Sequence, residues 1–91
     1  MAKLVTYDLN HADEVDYNKL YDAIKEYDSA KKICESTWLV VSDDSCVEIR
    51  DNLKKYMHSK DRIFVNKITN IEAAWSNTIC GSDYIKENKN K

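Results

Sequence analysis

The sequence predicts a small α+β domain in which strands and helices follow the order β-α-β-β-α-β. Runs rich in β-branched and apolar residues occur at positions 3–9, 31–36, 37–42 and 63–68,. Two other stretches repeat apolar residues at the spacing of one helical face. The chain contains one Gly and no Pro, which argues against a loop-rich β-sandwich, because that fold needs many special turns.

The first strand, at positions 3–9, is the element around which we expect the others to pack. It is mostly apolar and alternates poorly, as expected for a central strand that helices cover. It ends in Tyr7 and Asp8, and a polar connection follows at positions 10–16. Asp8 is therefore predicted to lie at the rim of the sheet.

Each predicted helix begins at a recognisable cap. The first, at positions 17–27, follows Asp13 and Asp16, either of which can cap it,. The second follows Ser45 and Glu48, which have the spacing of a capping box,. The apolar face of the first helix comprises Tyr17, Leu20, Tyr21, Ala23, Ile24 and Tyr27. That of the second comprises Cys46, Ile49, Leu53, Tyr56 and Met57.

Two boundaries are less sharply marked. No Asn-Gly turn separates the second and third strands near Glu35 and Ser36, so one long bent strand is an alternative. After the fourth strand, positions 71–75 are apolar and are expected to add a strand or cover a sheet edge, in this chain or on a partner. A short helix is expected over positions 82–87.

These elements fit the ferredoxin-like sandwich, in which two helices cross over between strands of one sheet. We expect one domain over the 91 residues, with a core at positions 3–75 and a short C-terminal extension at positions 76–91. A domain of this size often covers leftover apolar surface by dimerising, and a four-stranded sheet has two edges that favour this. A homodimer is therefore expected.

Charge and cysteine content narrow the class of protein. The net charge of −2, with no large block of one sign, argues against strong non-specific binding of nucleic acid but permits a local basic patch. Cys34, Cys46 and Cys80 form no C-x-x-C pair, which predicts reduced, mostly buried thiols in a cytoplasmic protein. No apolar run suggests a signal peptide or a transmembrane segment, so no membrane partner is expected.

Four short motifs resemble a known family. They are Tyr-Asp-Leu-Asn at 7–10, Ser-Thr-Trp-Leu-Val at 36–40, Asp-Arg-Ile-Phe-Val at 61–65 and Ala-Ala-Trp at 73–75. Together they resemble the small CRISPR-associated Cas2 proteins, and more closely the Cas2-like group often called the "SinR family". The resemblance covers about residues 3–75.

The resemblance implies a ferredoxin-like fold, a symmetric dimer and a functional aspartate at the end of the first strand, which here is Asp8. In some Cas2 proteins this aspartate is reported to bind a divalent metal for phosphodiester cleavage, and in others the protein is a structural part of a spacer-integration complex. One Asp8 from each subunit can hold Mg²⁺ or Mn²⁺, which prefer carboxylate oxygens. The acidic residues at 13–16 replace the Arg-rich start of helix one in Cas2, which argues against the DNA-adaptor role.

The residues themselves leave the role of Asp8 open. Asp8 is the best catalytic and metal-binding candidate, but it can equally cap the loop at 9–16 by accepting backbone hydrogen bonds. Asn10 and His11 follow it closely and can contact a phosphate or relay a proton, although a loop histidine can also be merely solvated.

A second group of candidates lies further along the chain. Ser36 and Trp38 are two residues apart, so on a strand they face the same side. If that side is open, Trp38 offers a platform on which a base can stack; the alternative is that it packs in the core or at a dimer interface. Arg62 belongs to a set of cations that can form a basic edge or simply keep the surface solvated, together with Lys31, Lys32 and Lys67,.

Three functional hypotheses follow. The first is a Cas2-like nucleic-acid protein in which paired Asp8 residues hold a metal at the dimer axis, with possible endonuclease activity. The second is a non-catalytic binder of a nucleotide or short oligonucleotide in the cleft between subunits. The third is a structural or protein-interaction module that dimerises through its sheet edges.

Overall fold

Four strands form a single antiparallel sheet with the strand order β2-β3-β1-β4 in the computed structural model, which describes residues 1–10 and 12–91. The strands are β1 (Ala2–Asp8), β2 (Ser29–Cys34), β3 (Thr37–Val41) and β4 (Arg62–Lys67). The described helices are α1 (Glu14–Lys25), α2 (Cys46–Lys54) and α3 (Ser82–Asn88). The prediction of a small α+β domain with a four-stranded sheet is confirmed.

The first strand is central, as its apolar run predicted. β1 lies between β3 and β4 and pairs antiparallel with both. In this register Val5 is opposite Trp38 on one side and Val65 on the other, and Asp8 is opposite Arg62. The carboxylate at the end of β1 is thereby placed beside a cation from a strand that lies far away in the sequence.

A turn at Glu35 and Ser36 separates β2 from β3. This excludes the alternative of one long bent strand. The ladder between the two strands shifts between Lys32 and Cys34, and such a bulge bends an edge strand next to its turn.

Both crossover helices begin at a capping box. Asp13 Oδ1 accepts the N–H of Asp16 at 2.9 Å, while the Asp16 carboxylate accepts the N–H of Asp13. Ser45 and Glu48 make the same reciprocal pair at the start of α2. α1 therefore begins at Glu14, three residues earlier than predicted, because Asp13 satisfies the free amide of the first turn.

α1 and α2 cover one face of the sheet and form the main core with it. The fully buried side chains there include Val5, Leu20, Ile24, Ile49 and Leu53. This first cluster also holds a buried polar contact, in which Trp38 Nε1 donates a hydrogen bond to Tyr7 Oη at 3.0 Å. Burial raises the pKa of the Tyr7 hydroxyl, so it remains protonated and neutral in the core,.

α3 covers one end of the opposite face. Its Ile85 packs on Ala2 and Leu39 in a second, smaller cluster, and Trp75 packs against that cluster from the preceding segment. The helix predicted at 82–87 is confirmed, with one more residue at its end. Of the two alternatives predicted for 71–75, a strand within this chain is wrong, because this described segment has no regular structure and only Trp75 within it is partly buried.

One charged group is buried at the edge of the core. Lys3 lies on β1, and its Nζ donates to the carbonyl oxygens of Ser42 and Asp44, both at 2.8 Å. These charge-assisted bonds offset the loss of water around the ammonium group. They also connect β1 to the loop that leads into α2.

The prediction of mostly buried thiols is wrong. All three cysteines are free, but Cys34 is exposed at the end of β2, and Cys46 and Cys80 are only partly buried. Cys46 opens α2 and Cys34 adjoins a turn, and both are places where the backbone reaches the surface. Among the described helices, none is long and apolar enough to span a membrane.

Candidate functional site

The candidate site begins with the cross-strand pair of Asp8 and Arg62. The Asp8 Oδ2 atom lies 3.9 Å from Arg62 Nη1, and the two side chains are 75% and 85% exposed. An ion pair this exposed contributes little to stability, because water solvates both charges. Both side chains therefore remain available to a ligand.

A surface cavity of about 490 Å³ lies next to this pair and is lined by Asp8, Leu9, Asn10, Lys60 and Arg62. We call it the β1-end cavity. The side chains that line it include two cations, one carboxylate and one amide. Guanidinium, ammonium and amide groups are the donors that proteins use to hold phosphate oxygens.

Asp61 connects the two loops that form this cavity. Its Oδ1 accepts the backbone N–H of Asn10 at 2.7 Å, and its Oδ2 accepts that of His58 at 2.8 Å. The loop after β1 is thereby tied to the turn that leads into β4. Because Asp61 stands between Lys60 and Arg62 in sequence, the same contacts hold the backbone that carries both cations.

His58 lies in the loop after α2 and contacts Asp16 of α1. Its Nε2 atom lies 3.4 Å from Asp16 Oδ1. The pKa of Asp16 is held below its ordinary value, first by the hydrogen bond from the backbone of Asp13 and to a lesser extent by His58. This contact gives His58 a structural role.

Three of the residues that the sequence singled out are brought together: Asp8, Asn10 and Arg62 all line the β1-end cavity. His11 lies outside the described residues. Among those that are described, Asn10 donates its backbone N–H to Asp61 rather than to Asp8. Asp61 thus performs the loop-holding role that was the alternative for Asp8.

The other two predicted ligand residues do not reach this cavity. Trp38 is only 4% exposed and lies in the core, with its ring 5.5 Å from that of Tyr21. It cannot serve as a stacking platform, because its side of β3 is the one that the helices cover. Ser36 lies in the turn before β3, and its carbonyl accepts the N–H of Tyr7 at 3.1 Å.

Lys60 and Asp61 are site residues that the sequence did not identify. Lys60 precedes Arg62 by two positions, which is a weak signal of a local cationic pair. Asp61 stood in a motif of the family resemblance, but no role could be assigned to it. Lys60 lies at the cavity, and Asp61 reaches Asn10, only because β4 pairs with the end of β1.

The residues of one chain do not by themselves fit a resident divalent metal. Within the described residues there is no group of three His, Cys, Asp or Glu side chains placed to hold an ion. Asp8 faces a guanidinium group, and that charge repels a metal cation,. A metal site here would need a second carboxylate from another chain.

The β1-end cavity is therefore an exposed site at the end of a central strand, and two cations line it. Its geometry suits an anion with several oxygen atoms. No protein-family model matches this chain.

Proposed function

We propose that this protein binds nucleic acid or nucleotides by holding a phosphate group in the β1-end cavity. The observation that carries the proposal is the placement of Lys60 and Arg62 around one cavity together with Asn10. Arg62 can donate two parallel hydrogen bonds to phosphate oxygens, and Lys60 adds a mobile point charge. The Asn10 side-chain amide can donate a further bond.

The size of the cavity supports a ligand larger than a free phosphate ion. At about 490 Å³ it falls within the range of about 300 to 1,000 Å³ that is typical of small-molecule sites,. Its open position also allows a strand to continue past it. A nucleotide within an oligonucleotide meets both conditions.

The proposal includes a Cas2-like, CRISPR-associated identity and a ferredoxin-like arrangement of the sheet. The strand order β2-β3-β1-β4, the two capped helices on one face and the position of Asp8 at the end of β1 support it. The free state of all three cysteines supports a cytoplasmic location,.

The catalytic part of the proposal is a metal-dependent endonuclease formed by a homodimer. It requires the Asp8 carboxylates of two chains to meet at the dimer axis, since one chain offers a single carboxylate beside Arg62. Mg²⁺ or Mn²⁺ bound between them would supply an activated water and charge neutralisation for phosphodiester cleavage. Arg62 and Lys60 would hold the phosphate in either case.

Binding can be tested with fluorescein-labelled single- and double-stranded DNA and RNA, and with nucleoside triphosphates, by fluorescence polarisation and thermal shift. We expect binding that weakens at least tenfold in the Lys60→Gln/Arg62→Gln double variant. The matched control is Arg50→Gln/Lys55→Gln, which removes the same charge from α2 and from the residue that caps its end, outside the cavity. Equal affinity in both variants would overturn the proposed site, and absence of binding by the wild type would overturn the function.

Catalysis needs a separate test. Wild type and Asp8→Asn should be compared on the same nucleic acids with Mg²⁺, with Mn²⁺ and with a chelator. Cleavage that needs metal and is lost in the variant supports the endonuclease. No cleavage, or equal cleavage by both proteins, removes the catalytic part and leaves the binding proposal to its own experiment.

The structure also favours a second candidate, a structural module that dimerises through its sheet edges. β2 and β4 are the outer strands of the described sheet, and an unpaired edge is a template for another strand. This candidate predicts a dimer by light scattering, and a protein partner in a pull-down, without any affinity for nucleic acid.

A further inference from the structure

Phe64 is the most exposed aromatic ring on the sheet. It lies in the middle of β4, and its side chain is 67% exposed. Burial of an apolar side chain stabilises a protein, and Phe64 gains little of this stabilisation within one chain. Its ring is therefore free to contact a partner.

The surroundings of Phe64 form a flat and open end of the sheet. Thr6 of β1 is directly opposite Phe64 of β4. Thr6 is also opposite Thr37 of β3, and the hydroxyl oxygens of Thr6 and Thr37 are 3.4 Å apart. These short side chains leave the face of the ring uncovered. α3 and Trp75 pack on the other end of the same sheet face, over Ala2 and Leu39.

Phe64 lies next to the phosphate-binding cations. Arg62 and Phe64 are two residues apart on β4, so they share a face and are separated by about 6.7 Å along the strand. A shallow cavity of about 160 Å³ reaches from Phe64 to Asp8 and Arg62, and those two residues also line the β1-end cavity. One nucleotide can span this distance from its base to its phosphate.

We propose that Phe64 is the base-stacking residue of a single-stranded oligonucleotide site, with the adjoining phosphate held by Arg62 and Lys60. This inference rests on the proposed function and extends it to single strands, because a base inside a duplex does not offer its face. Stacking on an aromatic ring tolerates any base, so the site binds without sequence preference.

The chemistry of this face favours an oligonucleotide over a second copy of the chain. Around Phe64 the sheet presents the hydroxyls of Thr6 and Thr37 and the charges of Asp8 and Arg62. The surroundings of Phe64 therefore lack the contiguous apolar area that forms the centre of a stable dimer interface. A homodimer that brings two Asp8 residues together must be held mainly by other surfaces, such as the sheet edges. Cations beside an exposed ring are the combination that binds single strands.

The test uses a fluorescein-labelled 12-nucleotide single strand, as DNA and as RNA, and an abasic DNA of the same length. Phe64→Leu keeps apolar bulk but removes the aromatic ring. We expect it to weaken binding of the base-containing strands by about tenfold or more and to leave binding of the abasic strand unchanged. Phe64→Tyr keeps an aromatic ring and should bind the base-containing strands as the wild type does. The control is Ile79→Leu, at an exposed residue outside the sheet.

The outcomes separate this inference from the proposed function. If wild type binds no oligonucleotide, both fail. If wild type binds, Lys60→Gln/Arg62→Gln weakens binding and Phe64→Leu does not, the stacking role is overturned and the phosphate site stands. If Phe64→Leu converts a dimer to a monomer by light scattering without a base-dependent loss of affinity, this face joins two copies of the chain and the inference is overturned.

Discussion

Asp61 accepts the backbone N–H of Asn10 across 51 positions of sequence, at 2.7 Å. The same carboxylate accepts the N–H of His58 through its second oxygen. One side chain thus defines the separation between the loop after β1 and the turn before β4. The cations of the β1-end cavity depend on that separation.

Asp61→Asn should therefore loosen the cavity as well as lower stability. An amide presents one oxygen, and its NH₂ group would face the second backbone N–H. We expect the free energy of unfolding to fall by about 1 to 2 kcal/mol, measured by urea denaturation, and oligonucleotide affinity to fall with it. Asp51→Asn, which removes only an exposed contact with the adjacent Arg50, should change stability by less than about 0.5 kcal/mol.

The buried hydrogen bond between Tyr7 and Trp38 predicts energetic coupling. Tyr7→Phe leaves the Trp38 indole N–H without its acceptor in the core, which should cost about 1 to 3 kcal/mol. A double-mutant cycle with Trp38→Phe should give a double variant less destabilised than the sum of the single variants, by about 1 kcal/mol. Tyr56→Phe, at an exposed tyrosine, is the control, and additive effects of the two core substitutions would contradict the contact.

Acid sensitivity should depend on Glu48. Its pKa lies below the ordinary value of 4.5, first because it accepts the backbone N–H of Ser45 and also through the Ser45 hydroxyl. A lowered pKa in the folded state stabilises the protein above the ordinary pKa, and this contribution is lost as the pH falls towards the folded value. The gap in melting temperature between wild type and Glu48→Gln should thus narrow from pH 6 to pH 3.

The narrowing should persist in 0.5 M NaCl, because a direct hydrogen bond is screened far less than a distant charge. A gap that stays constant over this pH range would show that ionised Glu48 adds nothing beyond what a neutral amide adds at the start of α2.

Docking of α3 should depend on Ile85. This side chain is 5% exposed in the second cluster, whereas Ile79, a few residues earlier, is 57% exposed. Ile85→Ala should lower the free energy of unfolding by about 2 to 4 kcal/mol through lost burial and a cavity. Ile79→Ala makes the same chemical change and should cost less than about 0.5 kcal/mol. Similar effects at both positions, in urea denaturation, would mean that α3 does not pack on the sheet.

Local patterns were sufficient to predict most of the architecture. The apolar run of β1, the helical spacing of α1 and the Ser45–Glu48 box are each encoded within a few adjacent residues, and the structure agrees with them. The segment at 71–75 was predicted as a strand or an edge cover because it is mostly apolar. It forms no strand in this chain, and composition alone does not show that no strand of the described sheet pairs with it.

The site needed information that local patterns do not hold. Alternation shows which residues of β3 share a face, but it does not show which face the helices cover. Trp38 was therefore considered as a stacking platform, whereas the aromatic ring on the open face is that of Phe64. Lys60 lines the same cavity as Asp8 only because of the register of β1 with β4. That register pairs positions more than 50 residues apart, and no local sequence pattern predicts it.

The two sides of the sheet also differ in when they can be completed during synthesis. The first cluster needs nothing beyond Val65, whereas the second joins Ala2 to Ile85. During synthesis, the helix-covered side can therefore pack before Ile85 has emerged, since folding begins with the N-terminal part of a chain. Until Ile85 emerges, Ala2 and Leu39 lack the α3 side chain that packs on them.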